Sequence, residues 1–184
     1  ILSRSSSNNV VLGIVNACMG IGGIIGGLLV SVKKESRKKA NVIYISAAIS
    51  FLLGDLTMAI GRNVFFWSFA AFAASLPIPF ITAEQNVILY KKIPEKIQGR
   101  VFAVRNAVQY STIPLGILLG GYLADYIFEP FMRSDTDIVS LLEILVGNGA
   151  GSGMAVMFLC TGVCGFAMSI LSLYSKKIQE LNNC

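Results

Sequence analysis

The sequence predicts an all-α fold, a polytopic bundle of five membrane-spanning helices. A helix needs about 20 apolar residues to cross the hydrocarbon core of a bilayer. Five stretches of the chain meet that length, at residues 10–32, 40–60, 65–90, 103–127 and 153–174. The composition agrees, because 54% of the residues are hydrophobic and only 14% are charged. A soluble domain carries about 25% charged residues, so the sequence places most of this chain in lipid.

Basic residues occupy every second gap between the predicted spans. The clusters at 33–39, 91–105 and 176–177 contain all but three of the 15 Lys and Arg residues. By the positive-inside rule these clusters are cytoplasmic. We therefore predict a multi-pass protein of the plasma or inner membrane, with an external amino end, a cytoplasmic carboxyl end and anionic lipid as a partner. Nucleic acid is not an expected partner, because the charges do not form one face or tail.

The number of spans and the start of the sequence predict a part of a larger protein. Five is an odd number, and the chain begins with Ile1. Its first nine residues are polar and lack the charged-then-apolar order of a signal peptide. We expect them to be the end of an external loop.

The first predicted span is rich in glycine. Gly22 and Gly26 are four residues apart, and Gly116 and Gly120 repeat this spacing in the fourth span. Small residues at this spacing allow two membrane helices to approach closely, so we predict helix packing at both places. A nucleotide-binding glycine turn is excluded because no strand precedes the run.

Three carboxylates lie within the predicted spans. Asp55 and Asp125 are near external ends, where we expect them to be solvated. Glu84, in the third span, precedes Lys91 by seven residues, which places it roughly 10 Å from the cytoplasmic end. A carboxylate inside a membrane is a functional candidate. The alternative is an ion pair near the lipid headgroups. Its candidate partners are Lys91, Lys92 and Arg105.

A polar face runs along the fourth span. Arg105, Gln109, Thr112 and Gly116 follow one another at spacings of four, three and four, which places them on one side of a helix. Such a face contacts protein or water rather than lipid. We predict that it helps to line a substrate cavity; the alternative is a packed polar seam. The cavity candidates are Asn16, Asn86, Gln109, Tyr110 and Thr112.

Two further segments carry structural predictions. Pro77 and Pro79 predict a kink in the third span. The external loop after the fourth span is acidic, and its apolar stretch 138–146 is too short to span a membrane. We predict a surface helix there, followed by a glycine-rich entry to the fifth span.

The residue inventory argues against catalysis. The chain has no His, which removes the commonest general base and most zinc sites. Cys160 and Cys164 share one helix face, but no paired CxxC motif is present. We therefore expect no enzyme activity, no metal site and no cofactor.

Residues 93–125 resemble the junction of the tenth and eleventh helices in major facilitator superfamily transporters. The similarity is closest to the drug-efflux branch that includes macrolide exporters. In that branch a P-x-x-x-Q-G-R-V-F segment, here 94–102, leads into a helix with a proline and glycines. This helix ends near G-x-L-A-D, here 121–125. Residues 78–94, with Asn86, resemble the same branch.

The resemblance implies that the five spans correspond to helices eight to twelve of twelve. It implies two six-helix halves, alternating access, and export of small amphipathic compounds coupled to proton entry. The amino-terminal half would be the missing partner, and Ser31 stands where that family often has Asp. Glu84 becomes the candidate for proton coupling. The candidate cytoplasmic gate consists of Gln98, Gly99, Arg100 and Arg105. The alternative function is a self-associating channel subunit or scaffold.

Overall fold

The computed structural model describes residues 8–33, 38–134, 136–147, 149 and 151–175. The basic residues at 34–37 and at 176–177, together with the first seven residues, lie outside this part. The described residues form helices joined by turns. The helices are α1 (Asn9–Val32), α2 (Lys39–Ile60), α3 (Val64–Lys92), α4 (Glu95–Phe131), α5 (Asp137–Val146) and α6 (Ser152–Tyr174).

Five of these helices, all except α5, are long and apolar enough to cross a membrane. The predicted class, an all-α multi-pass membrane bundle, is confirmed. The largest difference in bounds concerns α4, which begins at Glu95 rather than at residue 103. Pro94 precedes its first turn, where the fixed φ of proline starts a helix without the loss of a hydrogen bond. The polar segment after this proline therefore extends α4 beyond its apolar part.

A close helix contact joins α1 to α3. A Cβ atom on Gly22 would lie 2.7 Å from the carbonyl oxygen of Phe72, and one on Gly26 would lie 3.2 Å from Cγ of Pro79. Both glycines therefore face α3 at backbone distance. Towards the other end of α1, a buried cluster completes the contact. It consists of Val11, Val15, Trp67 and Ala71.

Helix α3 is interrupted between Ser75 and Ile78, where Pro77 and Pro79 remove backbone donors. The break also leaves carbonyls of the preceding turn without a helical donor, and in a membrane they need another donor. The hydroxyl of Ser50 on α2 donates to the carbonyl of Ala74 at 2.9 Å. The break in α3 is thus stabilised by a neighbouring helix.

Helix α2 contains a π-helical turn, Ser50–Asp55, at its contact with α3 and α6. A glycine allows close packing at each of these two contacts, Gly54 of α2 against α3 and Gly165 of α6 against α2. A Cβ atom on Gly54 would lie 3.0 Å from Cα of Ala74, and one on Gly165 of α6 would lie 2.6 Å from the ring of Phe51.

The surface helix predicted at 138–146 is present as α5. It packs with the end of α4 and the start of α6 around Met132, Val139 and Val146. Glu129 joins these elements, because its carboxylate accepts hydrogen bonds from the N–H groups of Gly151 (3.3 Å) and Gly153 (3.1 Å). A negative charge is favourable at the amino end of α6. The carboxylate therefore ties α4 to α6.

Helix α4 has few contacts over most of its length. No residue of its segment Glu95–Leu123 is buried within the described part of the chain. The helix is attached mainly at its two ends, by Glu129 on one side and by the contacts of Arg105 described below on the other. The surface between them is open.

Candidate functional site

The candidate site begins with Glu84, which α3 presents towards α1. Its side chain is only 11% exposed, and its Oε1 atom lies 3.5 Å from Nζ of Lys33. Lys33 follows the last residue of α1, and its Nζ also lies 5.3 Å from the centre of the Phe80 ring. A cation at this distance from an aromatic face is attracted to it. Lys33 is therefore held by α3 through both a charge and a ring.

The sequence prediction did not include Lys33 among the partners of Glu84. The two residues are 51 positions apart, whereas the candidates considered were neighbours of Glu84 or lay on the next helix. Arg105, one of those candidates, bonds to other groups. The signal that points to Lys33 is its place at the end of α1, the helix whose glycines already bring it against α3.

Arg105 connects α4 to the same segment of α3. Its Nη1 donates to Oδ1 of Asn86 at 2.6 Å, and its Nη2 donates to Oε1 of Gln85 at 2.9 Å. The planar guanidinium can reach two acceptors at once, which a lysine ammonium does less well. Asn86 and Arg105, predicted separately, are thus brought together, while Gln85 was not among the predicted site residues.

The turn between α3 and α4 is held by Gln98. Its side-chain amide donates to the carbonyls of Ile93 (2.9 Å) and Tyr90 (3.2 Å), which lie at the end of α3 and have no helical donor. The rings of Tyr90 and Phe102 lie 4.7 Å apart across the turn. Gly99 and Arg100, the other residues of the motif, are exposed.

The remaining cavity candidates do not meet in a closed site within the described part of the chain. Gln109, Tyr110 and Thr112 are exposed on α4, where the Thr112 hydroxyl donates to the carbonyl of Gln109 at 2.8 Å. Asn16 is exposed on α1. Gly116 and Gly120 face open space, since a Cβ atom on either would meet nothing within 4 Å.

The structure also contains a cleft between α1 and α3 that the sequence analysis missed. Its volume is about 530 Å³, and its walls are apolar and largely aromatic, including Phe65, Phe69 and Phe72. The hydroxyl of Ser68 is buried at this cleft without a hydrogen-bond partner among the described residues. The spacing of the phenylalanines at three to four residues is the signal that could have indicated it.

Within the described residues no three His, Cys, Asp or Glu side chains form a group that could hold a metal ion. The polar groups that the structure brings together are an ion pair and a guanidinium bound by two amides. Such groups can join and release helices.

The chain is similar to two kinds of efflux protein. It is 30% identical over 110 residues to macrolide efflux protein A of Streptococcus pyogenes, a match that covers 58% of this chain and 26% of that protein. It is 26% identical over 126 residues to the multidrug efflux pump Tap of Mycolicibacterium fortuitum, covering 62% of this chain and 28% of the pump. The chain thus spans about a quarter of the length of these curated relatives. No family model and no solved structure matches it. These relatives confirm the resemblance to drug-efflux transporters of the major facilitator type that the sequence motif predicts.

Proposed function

We propose that this chain is the carboxyl-terminal part of a secondary transporter that exports small amphipathic compounds by proton antiport. The similarity to macrolide and multidrug efflux proteins supports the export of such compounds. The observation that carries the mechanism is the nearly buried Glu84, paired with Lys33 of another membrane helix. Antiport with alternating access needs a group whose protonation changes the balance between two arrangements of the helices.

The proposed switch is the ion pair between α1 and α3. Protonation of Glu84 removes its negative charge, and with it the attraction for Nζ of Lys33. The Lys33 side chain is 33% exposed, so it can turn towards water or lipid headgroups once released. Glu84, at 11% exposed, remains inside as a neutral acid. The two states therefore differ in whether the end of α1 is tied to α3.

Arg105 extends the switch to α4. Its two acceptors, Gln85 and Asn86, directly follow Glu84 on α3. A displacement of this part of α3 therefore moves the attachment point of α4. We propose that the Q-G-R segment and Arg105 act together as the cytoplasmic gate, and that the cavity is lined by the exposed polar face of α4. The lining residues proposed on α4 are Gln109 and Thr112 of that face and Tyr110 beside it.

The remaining helices of a longer transporter are the proposed partner of α4. The open surface of this helix carries polar residues and the pair Gly116 and Gly120, a combination that suits helix packing better than lipid. The basic residues Lys33, Lys92 and Lys96 lie at or near helix ends on the side of the Glu84 pair. Their placement supports a cytoplasmic orientation of this side, next to anionic lipid.

The alternative of a self-associating channel subunit rests on the same exposed glycines. The two possibilities differ in what contacts α4. A cysteine in place of Leu119, beside this pair, would crosslink to a second copy in native membranes if the chain self-associates. If it crosslinks to an earlier helix of the same polypeptide, the transporter arrangement is supported.

The experiment that tests the proposed function measures accumulation of a fluorescent amphipathic compound in cells that express the full-length protein. We expect wild type to lower accumulation, a protonophore to abolish the effect, and Glu84→Gln to remove it. Glu95→Gln, at an exposed position of α4, is the matched control and should behave as wild type. Unchanged accumulation in wild type, or full activity of Glu84→Gln at equal expression, would contradict the proposal.

Lys33 provides a second variant. Lys33→Met leaves Glu84 without its counter-charge, so we expect export to become less dependent on the proton gradient. Lys96→Met, at another exposed position, is its control. Equal gradient dependence of the two variants would show that the ion pair has no part in coupling.

A further inference from the structure

A second carboxylate lies inside the membrane-spanning part of the fold and has no role in the switch just described. Asp55 is in α2, within the π-helical turn Ser50–Asp55. It is half-buried and precedes the last residue of α2, Ile60, by five positions, which places it roughly 8 Å from that end of the helix. π-helical turns are rare and occur often at functional sites.

Asp55 lies where α2 meets α6. A Cβ atom on Gly162 of α6 would be 3.1 Å from Cβ of Asp55 and 3.0 Å from Cδ2 of Leu56. The preceding residue, Gly54, packs on Ala74 of α3. The base of the Asp55 side chain is therefore in contact with α6, in a junction of three membrane helices.

The junction offers no charge to balance this carboxylate. Helices α1 and α6 contain no Asp, Glu, Lys or Arg, and the titratable residues of α6 are Cys160, Cys164 and Tyr174. The charged residues of α3, which are Glu84, Lys91 and Lys92, lie beyond its break on the other side of the bundle. On α2 itself, Tyr44 and Lys39 lie towards the opposite end.

Arg62, the first basic residue after Asp55 in the sequence, bonds to α5 rather than to Asp55. Arg62 donates from its Nη2 to the carbonyl of Ile144, at 3.2 Å. Among the residues that the structure describes, the Asp55 carboxylate has neither a hydrogen bond nor an ion pair. This contrasts with Glu84, whose carboxylate has Lys33 as a partner.

A carboxylate in such a place has two ways to avoid an unbalanced charge. It can remain in contact with water at the helix end, or it can bind a proton, because transfer of the neutral acid into an apolar junction is far less unfavourable than transfer of the ion. We propose that Asp55 is a second proton-binding group, which holds a proton while the α2–α6 junction is closed and transfers it to water when the junction opens. Its part in transport rests on the proton antiport proposed above.

The first test is chemical and needs no transport. Dicyclohexylcarbodiimide is an apolar reagent that reacts with protonated carboxyl groups. The acid proton passes to a carbodiimide nitrogen, and the carboxyl oxygen bonds to the central carbon. The O-acylisourea that forms rearranges to a stable N-acylurea, which mass spectrometry locates. We expect Asp55 of the full-length protein in membrane vesicles to be modified, less so as the pH is raised, and Asp55→Asn to show no adduct at this peptide.

Asp137, exposed at the start of α5, is the internal control. We expect a water-soluble carbodiimide to modify Asp137 much faster than Asp55, and the apolar reagent to show the reverse order. Asp55 that resists the apolar reagent at acidic pH, or that reacts with the water-soluble reagent as fast as Asp137, would overturn the inference.

The second test measures export by Asp55→Asn and Asp55→Glu at wild-type membrane levels. We expect the Asn variant to lose export that depends on the proton gradient, and the Glu variant, which keeps a carboxyl group, to retain it. Export by Asp55→Asn with unchanged gradient dependence would exclude a role in coupling. The labelling result does not depend on transport. Labelled Asp55 in a protein without proton-driven export would therefore contradict the proposed function alone, and unlabelled Asp55 in a proton-driven exporter would contradict this inference alone.

Discussion

Replacement of Gly22 by alanine tests the contact between α1 and α3 directly. The new Cβ atom would lie 2.7 Å from the carbonyl oxygen of Phe72, and it would also collide with the hydroxyl of Ser75. Non-bonded heavy atoms are comfortable at about 3.5–4.0 Å, so α1 must move away from α3 by roughly 1 Å. The Phe72 oxygen belongs to the backbone of α3, so truncation of Ser75 will not relieve the clash.

Gly23 is the matched control, because a Cβ atom there would meet nothing within 4 Å. Both substitutions gain about 1 kcal/mol of intrinsic helix propensity, and this gain cancels in their difference. What remains is the steric term at Gly22, and overpacking of this kind destabilises by about 1–3 kcal/mol. Gly22→Ala should therefore be less stable than Gly23→Ala by about 1–3 kcal/mol.

The assay is thermal unfolding of the full-length protein in detergent, followed by far-ultraviolet circular dichroism. We expect Gly23→Ala to unfold at or slightly above the wild-type temperature and Gly22→Ala to unfold below it. Equal unfolding temperatures for the two variants would show that α1 does not approach α3 through Gly22, and the argument for the Lys33 ion pair at the end of α1 would lose its structural basis.

Three further predictions concern the ends of the helices. Arg105→Lys should lose one of the two amide contacts with α3, which is worth about 0.5–1.5 kcal/mol. We therefore expect faster hydrogen exchange of the backbone amides in the first turns of α4. Arg100→Lys, at an exposed position, should leave this exchange unchanged. Glu129→Ala removes the acceptor for two N–H groups at the start of α6, so we expect faster exchange of these amides and a loss of about 1–3 kcal/mol in stability; unchanged exchange would contradict the bond. Arg62→Met removes the hydrogen bond to the Ile144 carbonyl of α5, so we expect α5 to detach and a protease to cleave the chain beyond α5 faster. The Arg133 side chain is 78% exposed, and we expect Arg133→Met to leave the rate of cleavage unchanged.

Local patterns predicted those features that depend on neighbouring residues. The length of the apolar stretches predicted the five long helices, the prolines at 77 and 79 predicted the break in α3, and the short apolar stretch at 138–146 predicted α5. In each case the physical cause lies within about one helix length of sequence.

The pairings between distant residues could not be predicted in the same way. Glu84 had several basic residues within reach along the chain, and the choice of Lys33 follows from how α1 lies on α3. The bonds from Glu129 to the start of α6 join residues 22 and 24 positions apart across a turn of positive-φ glycines. The π-helical turn in α2 has no pattern of its own in the sequence, because it is set by the fit of Gly54 and Phe51 against two other helices.

The open surface of α4 has a consequence for any large-scale mutagenesis of this protein. Between its two attached ends this helix buries no side chain against the described part of the chain. Substitutions from 106 to 123 should therefore be nearly silent in a screen that selects only for folding of this segment. In a screen that selects for survival on a toxic compound, the same positions should be among the most sensitive. Positions that are sensitive in the survival screen but silent in the folding screen would identify the surface through which α4 contacts the rest of the transporter.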